Sequence, residues 1–310
     1  MSNVSSLNAP APPDHALRQE IRRVARQTRA RRVLVSRVMV TLCSLALLVA
    51  AVPLALLVYQ LVTRGLPVLT SSLFTTLPQS PSLIAPAATG GISNAIVGTL
   101  ALNLYAAAMA IPLGILVGVY LAETTSKLAS TLRVIAQTMS GAPSILMGLF
   151  AFTLIVRDFR LGFSALAGAF ALAVLMLPVV VISTEIAVRT VPTSLREAGL
   201  ALGAKPHKIS MRVVLPAALT GIVTGSILAL SRAIGETAPV LLTIGGGFIN
   251  AWKPNGPVSA LPLTIYMNAK SEWPSQRAQV WGIALVLVTF VFLLSLSARI
   301  WASRKQRVSN

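Results

Sequence analysis

The sequence predicts an all-α membrane protein with about six transmembrane helices. Of its 310 residues, 55% are hydrophobic and only 11% are charged, whereas soluble domains carry about 25% charged residues. Six apolar stretches are each long enough to cross a hydrocarbon core about 30 Å thick. Little chain remains for a separate soluble domain, so nearly all of the protein should lie in or beside a membrane.

Polar segments separate the six predicted spans. Pro112 and Pro178 fall inside spans, which helices in lipid tolerate when neighbouring groups satisfy the carbonyls that proline leaves free. The outer loops 63–91 and 245–279 are long, so they either receive an external partner or cap the helices, with Trp252 and Trp273 at the interface. The spans are placed at Val38–Val62, Ile92–Ala122, Val134–Val156, Phe163–Ile182, Val214–Ile244 and Val280–Trp301.

The N-terminal tail (residues 1–37) carries eight arginines. From Leu17 to Arg37 they fit a basic amphipathic helix that would lie on anionic lipid. A simpler interpretation is that they only hold the N-terminus in the cytoplasm. The apolar stretch after the tail is longer than the hydrophobic region of a signal peptide, so cleavage is not expected.

Basic residues are divided unequally between the two sides that six spans define. The two termini and the second and fourth loops share one side and carry 19 Lys and Arg, whereas the other side carries 6. Basic loops stay in the cytoplasm, so both termini, including the tail 303–310, are expected on the cytoplasmic face of the inner membrane. The net charge of +18 therefore predicts membrane orientation and lipid contact, not nucleic-acid binding.

No residue pattern predicts a metal site or a catalytic group in this chain. Cys43 lies in an apolar run and is expected to be a small hydrophobic residue of a helix. His15 and His207 lie in separate polar segments and do not form a metal-binding pattern. The acids Glu123 and Glu185 lie near cytoplasmic span ends and are interpreted as interface or partner contacts. We therefore expect a non-catalytic chain that binds no cofactor.

The fourth loop (residues 190–216), termed the docking loop, carries the signals of two short helices joined by a sharp bend. Ser194 and Glu197 have the S-x-x-E spacing of a capping box, which begins a helix. Gly203 suits a left-handed helix end, and Pro206 suits the first turn of a second helix. The loop should therefore protrude into the cytoplasm as a compact knob.

One face of the first loop helix is apolar. Leu195, Ala198 and Leu202 are spaced by three and four residues, which brings them to one side of a helix. Such a face suits a groove on another protein. The chain has no G-x-x-x-x-G-K-[ST] phosphate loop, so any ATP hydrolysis must occur on a separate subunit.

The docking loop resembles the EAA motif of bacterial ABC importer permeases, E-A-A-x3-G-x9-I-x-L-P. The matching positions are E-A-G at Glu197–Gly199, the glycine Gly203 and V-x-L-P at Val213–Pro216. Gly199 and Val213 depart from the pattern, both mildly. The resemblance implies that this loop is the coupling helix that binds the ATPase subunit. The residues implied in that contact are Ser194, Glu197, Ala198, Gly203, Leu215 and Pro216.

A charged pair lies inside the fifth predicted span. Arg232 and Glu236 are four residues apart, so they share one face of a helix. An arginine at mid-membrane costs about 2.5–3.5 kcal/mol and usually faces a wet pathway or the bundle interior. Its guanidinium can hold an oxyanion through parallel N–H bonds, with the hydroxyls of Ser231 and Thr237 nearby and little bulk at Gly235. The pair therefore predicts either an anion pathway or a static salt bridge.

The segment Ser231–Pro239 is similar to the R-x-x-G-E-T-A-P signature of the PstA family of phosphate importer permeases. The sister PstC permeases share its arginine and G-E-T but usually lack the following A-P. The resemblance extends over about residues 90–303 and implies phosphate as the transported anion. Further matching segments are Gly90–Thr99, Pro112–Gly114, Tyr120–Glu123, Gly141–Ser144 and Leu261–Tyr266.

The resemblance implies a type I ABC importer permease (MetI-like) fold with its transmembrane domain over residues 92–302. The implied partners are a PstB-like ATPase homodimer, which would hold ATP and Mg²⁺, a PstC-like second permease and a PstS-like phosphate-binding protein. Two alternatives stay open: a permease for sulfate or molybdate, and an anion transporter driven by an ion gradient. The first would lack the R-x-x-G-E-T-A-P segment, and the second would not need the docking loop.

Overall fold

The computed structural model describes the backbone of residues 14–82, 84, 85, 87, 90–247 and 253–308, and the side chains of that set from Arg32 to Ala302. Trp252 and the first thirteen residues of the tail lie outside the described residues. The chain divides into two compact units, Met1–Gln60 and Leu61–Asn310. The docking loop and the Arg232–Glu236 pair both belong to the second unit.

The described residues form helices joined by turns, and the described part of the chain contains no β-strand beyond two isolated bridges. A 3₁₀ turn covers Leu66–Val68, and π-helical segments cover Phe152–Asp158 and Ser210–Val214. The α-helices are α1 (Asp14–Gly65), α2 (Ser71–Thr75), α3 (Ser93–Glu123), α4 (Lys127–Ser140), α5 (Ser144–Ala151), α6 (Ala165–Arg189), α7 (Thr193–Ala201), α8 (Pro206–Ile209), α9 (Leu215–Ile234), α10 (Ala238–Leu241), α11 (Leu261–Ala269) and α12 (Pro274–Val308).

Within the described residues, five helices are long and apolar enough to cross a membrane, and one bent helix pair makes a sixth candidate. This confirms the all-α class and the count of about six spans. The predicted basic helix of the tail is the beginning of α1, which continues without a break into the first span. The five long segments are Arg32–Val68, Ser93–Glu123, Ala165–Arg189, Pro206–Ile234 and Pro274–Ala302.

The third predicted span, Val134–Val156, is not a single straight helix. The chain there forms α4 and then the segment Ser144–Asp158, which bend by 106° relative to each other. Gly141 ends α4, and Pro143 adopts an extended ψ of 132° before α5 begins. The residue before a proline is pushed out of the helical region, so the G-A-P sequence ends one helix and starts another.

The fifth predicted span, Val214–Ile244, also ends early. Helix α9 stops at Ile234, Gly235 caps it, and α10 follows after a break. Pro239 lacks an N–H donor, and its ring would clash with the carbonyl of Gly235 if the helix continued. Beyond it, the predicted outer loop 245–279 contains α11 and the first turn of α12.

Helix α6 lies at the centre of the core, with α3 packed on one side and α9 on the other. On α3, a Cβ at Gly118 would come within 2.6 Å of the Thr184 Cβ of α6. On α9, a Cβ at Gly225 would come within 2.2 Å of the Ser183 Oγ. Each glycine is the second of a G-x-x-x-G pair, with Gly114 and Gly221, and this spacing lets membrane helices approach closely. Both G-x-x-x-G spacings are visible in the sequence and predict close helix contacts at these positions.

We expect Gly225→Ala to destabilise the second unit by about 1–3 kcal/mol, the usual cost of overpacking a close contact. A matched control is Gly141→Ala, whose added Cβ would meet nothing closer than the Thr138 carbonyl oxygen at 3.7 Å. Thermal unfolding of the purified permease in detergent measures the difference. The double variant Gly225→Ala/Ser183→Gly should recover most of the loss. Equal melting temperatures for the two single variants would contradict this account of the α6–α9 contact.

Candidate functional site

Arg232 and Glu236 flank the end of α9. Arg232 occupies the last turn of the helix, and Glu236 follows its Gly235 cap. The turn is closed by hydrogen bonds from the Gly235 and Glu236 amides to the carbonyls of Arg232 and Ala233, both 3.2 Å long. The two charged residues therefore lie on one side of a helix terminus, although no continuous helix carries both.

The ion pair between them is loose. Arg232 Nε lies 3.6 Å from Glu236 Oε1, beyond hydrogen-bond distance, and the arginine side chain is 48% exposed against 19% for the glutamate. Among the described residues, the Arg232 guanidinium finds no hydrogen-bond acceptor within range. A planar fork of N–H donors beside one carboxylate can exchange that carboxylate for a bound oxyanion.

The other residues predicted for the pathway lie in different surroundings. Ser231 is buried, and its Oγ lies 3.2 Å from the Oγ of Ser295 on α12. Thr237 is half-buried and is the N-cap residue that precedes α10. A Cβ at Gly235 would meet only the Arg232 carbonyl oxygen at 3.8 Å, so space is open beside the pair. Ser231 thus joins two helices, while Thr237 lies next to Glu236 in the break.

Helix α5 holds the break in place from the other side. A Cβ at Gly148 would come within 2.6 Å of the Pro239 Cα, so α5 and α10 are in direct backbone contact. Pro239 and Val240 are buried. The two interrupted spans therefore meet at Pro239, just after the segment that carries Glu236 and Thr237.

The docking loop folds into two short helices joined by a bend, as its sequence predicts. Gly203 has φ +75°, and the amides of Gly203 and Ala204 donate to the carbonyls of Leu200 and Gly199. These two bonds form a Schellman motif, which satisfies carbonyls that a helix end leaves free. Pro206 then begins α8 in its first turn. The predictions for Gly203 and Pro206 are confirmed.

The capping box predicted at Ser194 and Glu197 does not form. Helix α7 begins at Thr193, one residue before Ser194, and no side chain caps it. Pro192, with φ −54° and ψ 137°, is the residue that precedes the first turn. Its carbonyl accepts the Leu195 amide at 3.2 Å. Because the extended conformation of Pro192 sets the helix start, Ser194 lies inside the first turn and cannot act as the cap.

The outer surface of the docking loop is apolar and exposed. Leu202 is 88% exposed, and Leu195, Leu200 and Met211 are exposed too. Glu197 and Ala198 lie on the same exposed helix. Four large side chains of this kind in one knob would be costly to leave in water, and a contiguous apolar patch marks an interaction surface.

The inner surface of the loop packs against the helix ends. Its buried residues form one cluster with the half-buried Leu215, while Pro216 is exposed in the first turn of α9. A Cβ at Gly199 would come within 3.0 Å of the Ile209 side chain, so the small residue at this departure from the E-A-A pattern fits a close contact. The buried members are Val188, Val191, Ile209, Val214, Ala218 and Ile222.

Glu123 and Glu185 make internal ion pairs, which corrects their interpretation as interface or partner contacts. Glu123 pairs with Arg196 of α7. Glu185 Oε1 accepts a hydrogen bond from Arg133 Nε at 2.8 Å and lies 2.9 Å from Arg189 Nη2 in a second ion pair. The Glu185–Arg189 pair has the i, i+4 spacing that a helical sequence can show. The other two pairs have no local pattern, because Glu123 and Arg196 are 73 residues apart and Arg133 and Glu185 are 52 apart. They join α3, α4, α6 and the docking loop.

Residues 110–307 match the family described as binding-protein-dependent transport system inner membrane component. The phosphate transport system permease protein PstA of Pasteurella multocida is 35% identical over 278 residues, which cover 89% of this chain and 97% of the relative. PstA of Xylella fastidiosa (strain 9a5c) is 38% identical over 87% and 93% of the two chains. PstA 1 of Mycobacterium tuberculosis (strain H37Rv) is 36% identical over 97% and 99%.

A chain of the inward-facing MetNI methionine ABC transporter shares the fold, with a TM-score of 0.57, 23% identity and coverage of 69% of this chain and 95% of that one. This likeness bears on the fold alone, and it agrees with the type I permease architecture. Members of such systems are transport subunits that work with an ATPase and other transporter components. The chain therefore belongs to the family of binding-protein-dependent transport system inner membrane components, as a permease subunit related to the PstA proteins.

Proposed function

We propose that this chain is a permease subunit of an ATP-driven importer of inorganic phosphate and forms half of its translocation pathway. Both termini and the docking loop lie in the cytoplasm. A PstB-like ATPase homodimer binds the docking loop, a PstC-like permease completes the pathway, and a PstS-like protein delivers phosphate from outside. ATP and Mg²⁺ bind the ATPase, and this chain carries out no covalent chemistry.

The observation that carries the proposal is the loose Arg232–Glu236 pair at the break between α9 and α10. A static salt bridge that locks two helices would place the charges at hydrogen-bond distance on different helices. Here both charges lie on one segment, 3.6 Å apart, with the guanidinium about half exposed. The PstA relatives supply the identity of the anion, since the pair alone favours an oxyanion of any kind.

The mechanism follows from what each part of the chain can do. Phosphate reaching the break accepts N–H bonds from Arg232, and Glu236 moves aside because it holds the guanidinium only loosely. In the opposite state Glu236 returns to the guanidinium and the anion leaves. The docking loop transmits movement of the ATPase to α6 and α9, which adjoin it in the chain, so the pathway opens alternately to each side.

Two other candidate functions would place different requirements on specific residues of the chain. A permease for sulfate or molybdate would share the docking loop, but the R-x-x-G-E-T-A-P segment from Arg232 to Pro239 favours phosphate. A transporter driven by an ion gradient would not need the exposed apolar knob at Leu195 and Leu202. The loop and the pair together therefore favour ATP-driven phosphate import.

Uptake of radiolabelled phosphate into proteoliposomes tests the proposal. The vesicles hold the complete complex, with ATP enclosed on the ATPase side and the binding protein on the other. We expect uptake that requires ATP and resists a 100-fold excess of sulfate, because a phosphate-selective pathway prefers its own anion by about 3 kcal/mol or more. Uptake abolished by sulfate would favour the other oxyanion, and uptake driven by an ion gradient without ATP would overturn the proposal.

A further inference from the structure

The C-terminal turn of α3 is bonded to the docking loop through one carboxylate. Glu123 Oε1 accepts a hydrogen bond from Arg196 Nη1 of α7, and Glu123 Oε2 accepts from the Ser210 hydroxyl at 2.9 Å. Arg196 Nη2 also donates to the Val188 carbonyl at the end of α6, 3.3 Å away. A single acid therefore contacts both halves of the loop, before and after its bend.

The Glu123–Arg196 pair is only partly exposed, with side-chain exposures of 25% and 26%. Ion pairs at this depth are screened less than fully exposed ones. The pair also has two geometric supports, the Ser210 hydroxyl and the Val188 carbonyl. It should therefore hold α7 in one orientation relative to the end of α3.

Helix α3 needs such a bond because it has no direct chain connection to the docking loop. Helix α6 ends at Arg189, just before the loop, and α9 begins at Leu215, within its last residues, so both receive its movement through the backbone. Helix α3 contacts α6 through glycine-lined surfaces, and such packed helices slide past one another at small cost. An ion pair across the ends resists that sliding.

A second set of bonds attaches more helices to the same turn of α3. The Leu121 carbonyl accepts from Arg133 Nη2 of α4 at 3.0 Å and from Arg189 Nη2 of α6 at 3.2 Å. Both arginines also pair with the buried Glu185. The last turn of α3 thus joins α4 and α6, and Glu123 adds the docking loop to this group.

We propose that Glu123 is a positioning residue that transmits the movement of the docking loop to α3 through Arg196. The inference rests on the proposed function, because the movement comes from the ATPase. Without this bond the loop still docks, since its outer surface is unchanged, and α6 and α9 still move. Helix α3 then follows the loop only indirectly, through the bonds of the Leu121 carbonyl to α4 and α6, so ATP is hydrolysed with less phosphate imported.

The test measures ATP hydrolysed per phosphate imported by the complete complex in proteoliposomes, together with the amount of ATPase that copurifies. We expect Glu123→Ala to raise this ratio about fivefold, a size typical of directly coupled residues, with the ATPase still bound. Glu123→Gln keeps the shape and one acceptor oxygen, so it should fold and raise the ratio less. The control Asp158→Ala removes the acid of an ion pair with Arg157 that lies far from the loop in the chain and should leave the ratio unchanged.

Charge reversal separates transmission from a merely structural role. Glu123→Arg alone should uncouple the complex, and Glu123→Arg/Arg196→Glu should return the ratio to near the wild-type value. A normal ratio in Glu123→Ala, loss of the ATPase from that variant, or no recovery in the reversed pair would each overturn the inference. An incorrect proposed function would give a different result from an incorrect role for Glu123, because the wild-type complex itself would then import no phosphate in the same vesicles.

Discussion

Replacing Arg232 with Gln should reduce phosphate uptake at least about 100-fold while the permease still assembles. The substitution removes the charge and the planar N–H fork, and charge-assisted hydrogen bonds contribute about 1.5–3 kcal/mol each. Losing two of them amounts to 3 kcal/mol or more, which is about 150-fold at 25 °C. The folded chain should tolerate the change, because the guanidinium is about half exposed and only loosely paired. Uptake in proteoliposomes and copurification of the ATPase are the two measurements.

Arg157→Gln is the matched control for this variant. Arg157 also pairs with a nearby acid, with its Nε 2.9 Å from Asp158 Oδ1, but it is 67% exposed and adjoins no helix break of the α9–α10 kind. The same change of charge there should leave uptake within about twofold, since exposed ion pairs contribute only about 0–1 kcal/mol. Arg232→Lys keeps the charge without the fork and should fall between wild type and Arg232→Gln. Normal uptake in Arg232→Gln would refute the anion pathway at this pair.

The sequence predicts most of the helices because lipid imposes a simple rule, that a spanning segment is apolar over about 20 residues. It fails where a span is interrupted. Val134–Val156 and Val214–Ile244 are each apolar on average, so their mean hydropathy predicts one span where Pro143 and Pro239 separate two helices. Both interruptions are visible as G-A-P and T-A-P sequences, and giving them more weight would have found the breaks.

The features of the candidate sites also differ in how well the sequence predicts them. Features that depend on neighbouring residues are predictable, whereas contacts between distant residues are not. The bend at Gly203 is predictable because a positive φ at a helix end depends on a few neighbouring residues. The start of α7 depends on Pro192, and the S-x-x-E pattern at Ser194 misleads because a better start lies just before it. Arg196, which pairs with Glu123, and Arg133, one of the two partners of Glu185, come from distant parts of the chain, so only the packed structure reveals these pairs.

The Arg232–Glu236 pair and the docking loop lie at opposite ends of α9. The helix covers 20 residues, so with a rise of about 1.5 Å per residue it spans roughly 30 Å. A rigid helix of that length can carry a displacement of the docking loop to the break before α10 without any change in its own hydrogen bonds. Along part of that length, α9 lies in close glycine contact with α6.

Truncating Leu202 to Ala should weaken binding of the ATPase about 30-fold without unfolding the permease. The side chain is 88% exposed in the chain alone, so it contributes little to the stability of the permease itself. Burying a leucine in a groove on a partner contributes about 2 kcal/mol, which corresponds to about 30-fold in Kd. The control Leu77→Ala removes another exposed leucine, 41% exposed in the predicted first outer loop, and should leave binding unchanged.

Gly203→Val tests the same interface through the backbone. A β-branched residue at φ +75° is strained, so α7 should tilt or fray and its apolar face should no longer fit the groove. Although no atom lies within 4 Å of a Cβ at this position, the backbone angle alone opposes the substitution. Titration of the purified permease complex with the ATPase subunit measures both variants. If both bound the ATPase as tightly as wild type and imported phosphate at the same rate, the docking loop would not be the coupling surface, and the ATPase would have to bind another cytoplasmic part of the chain.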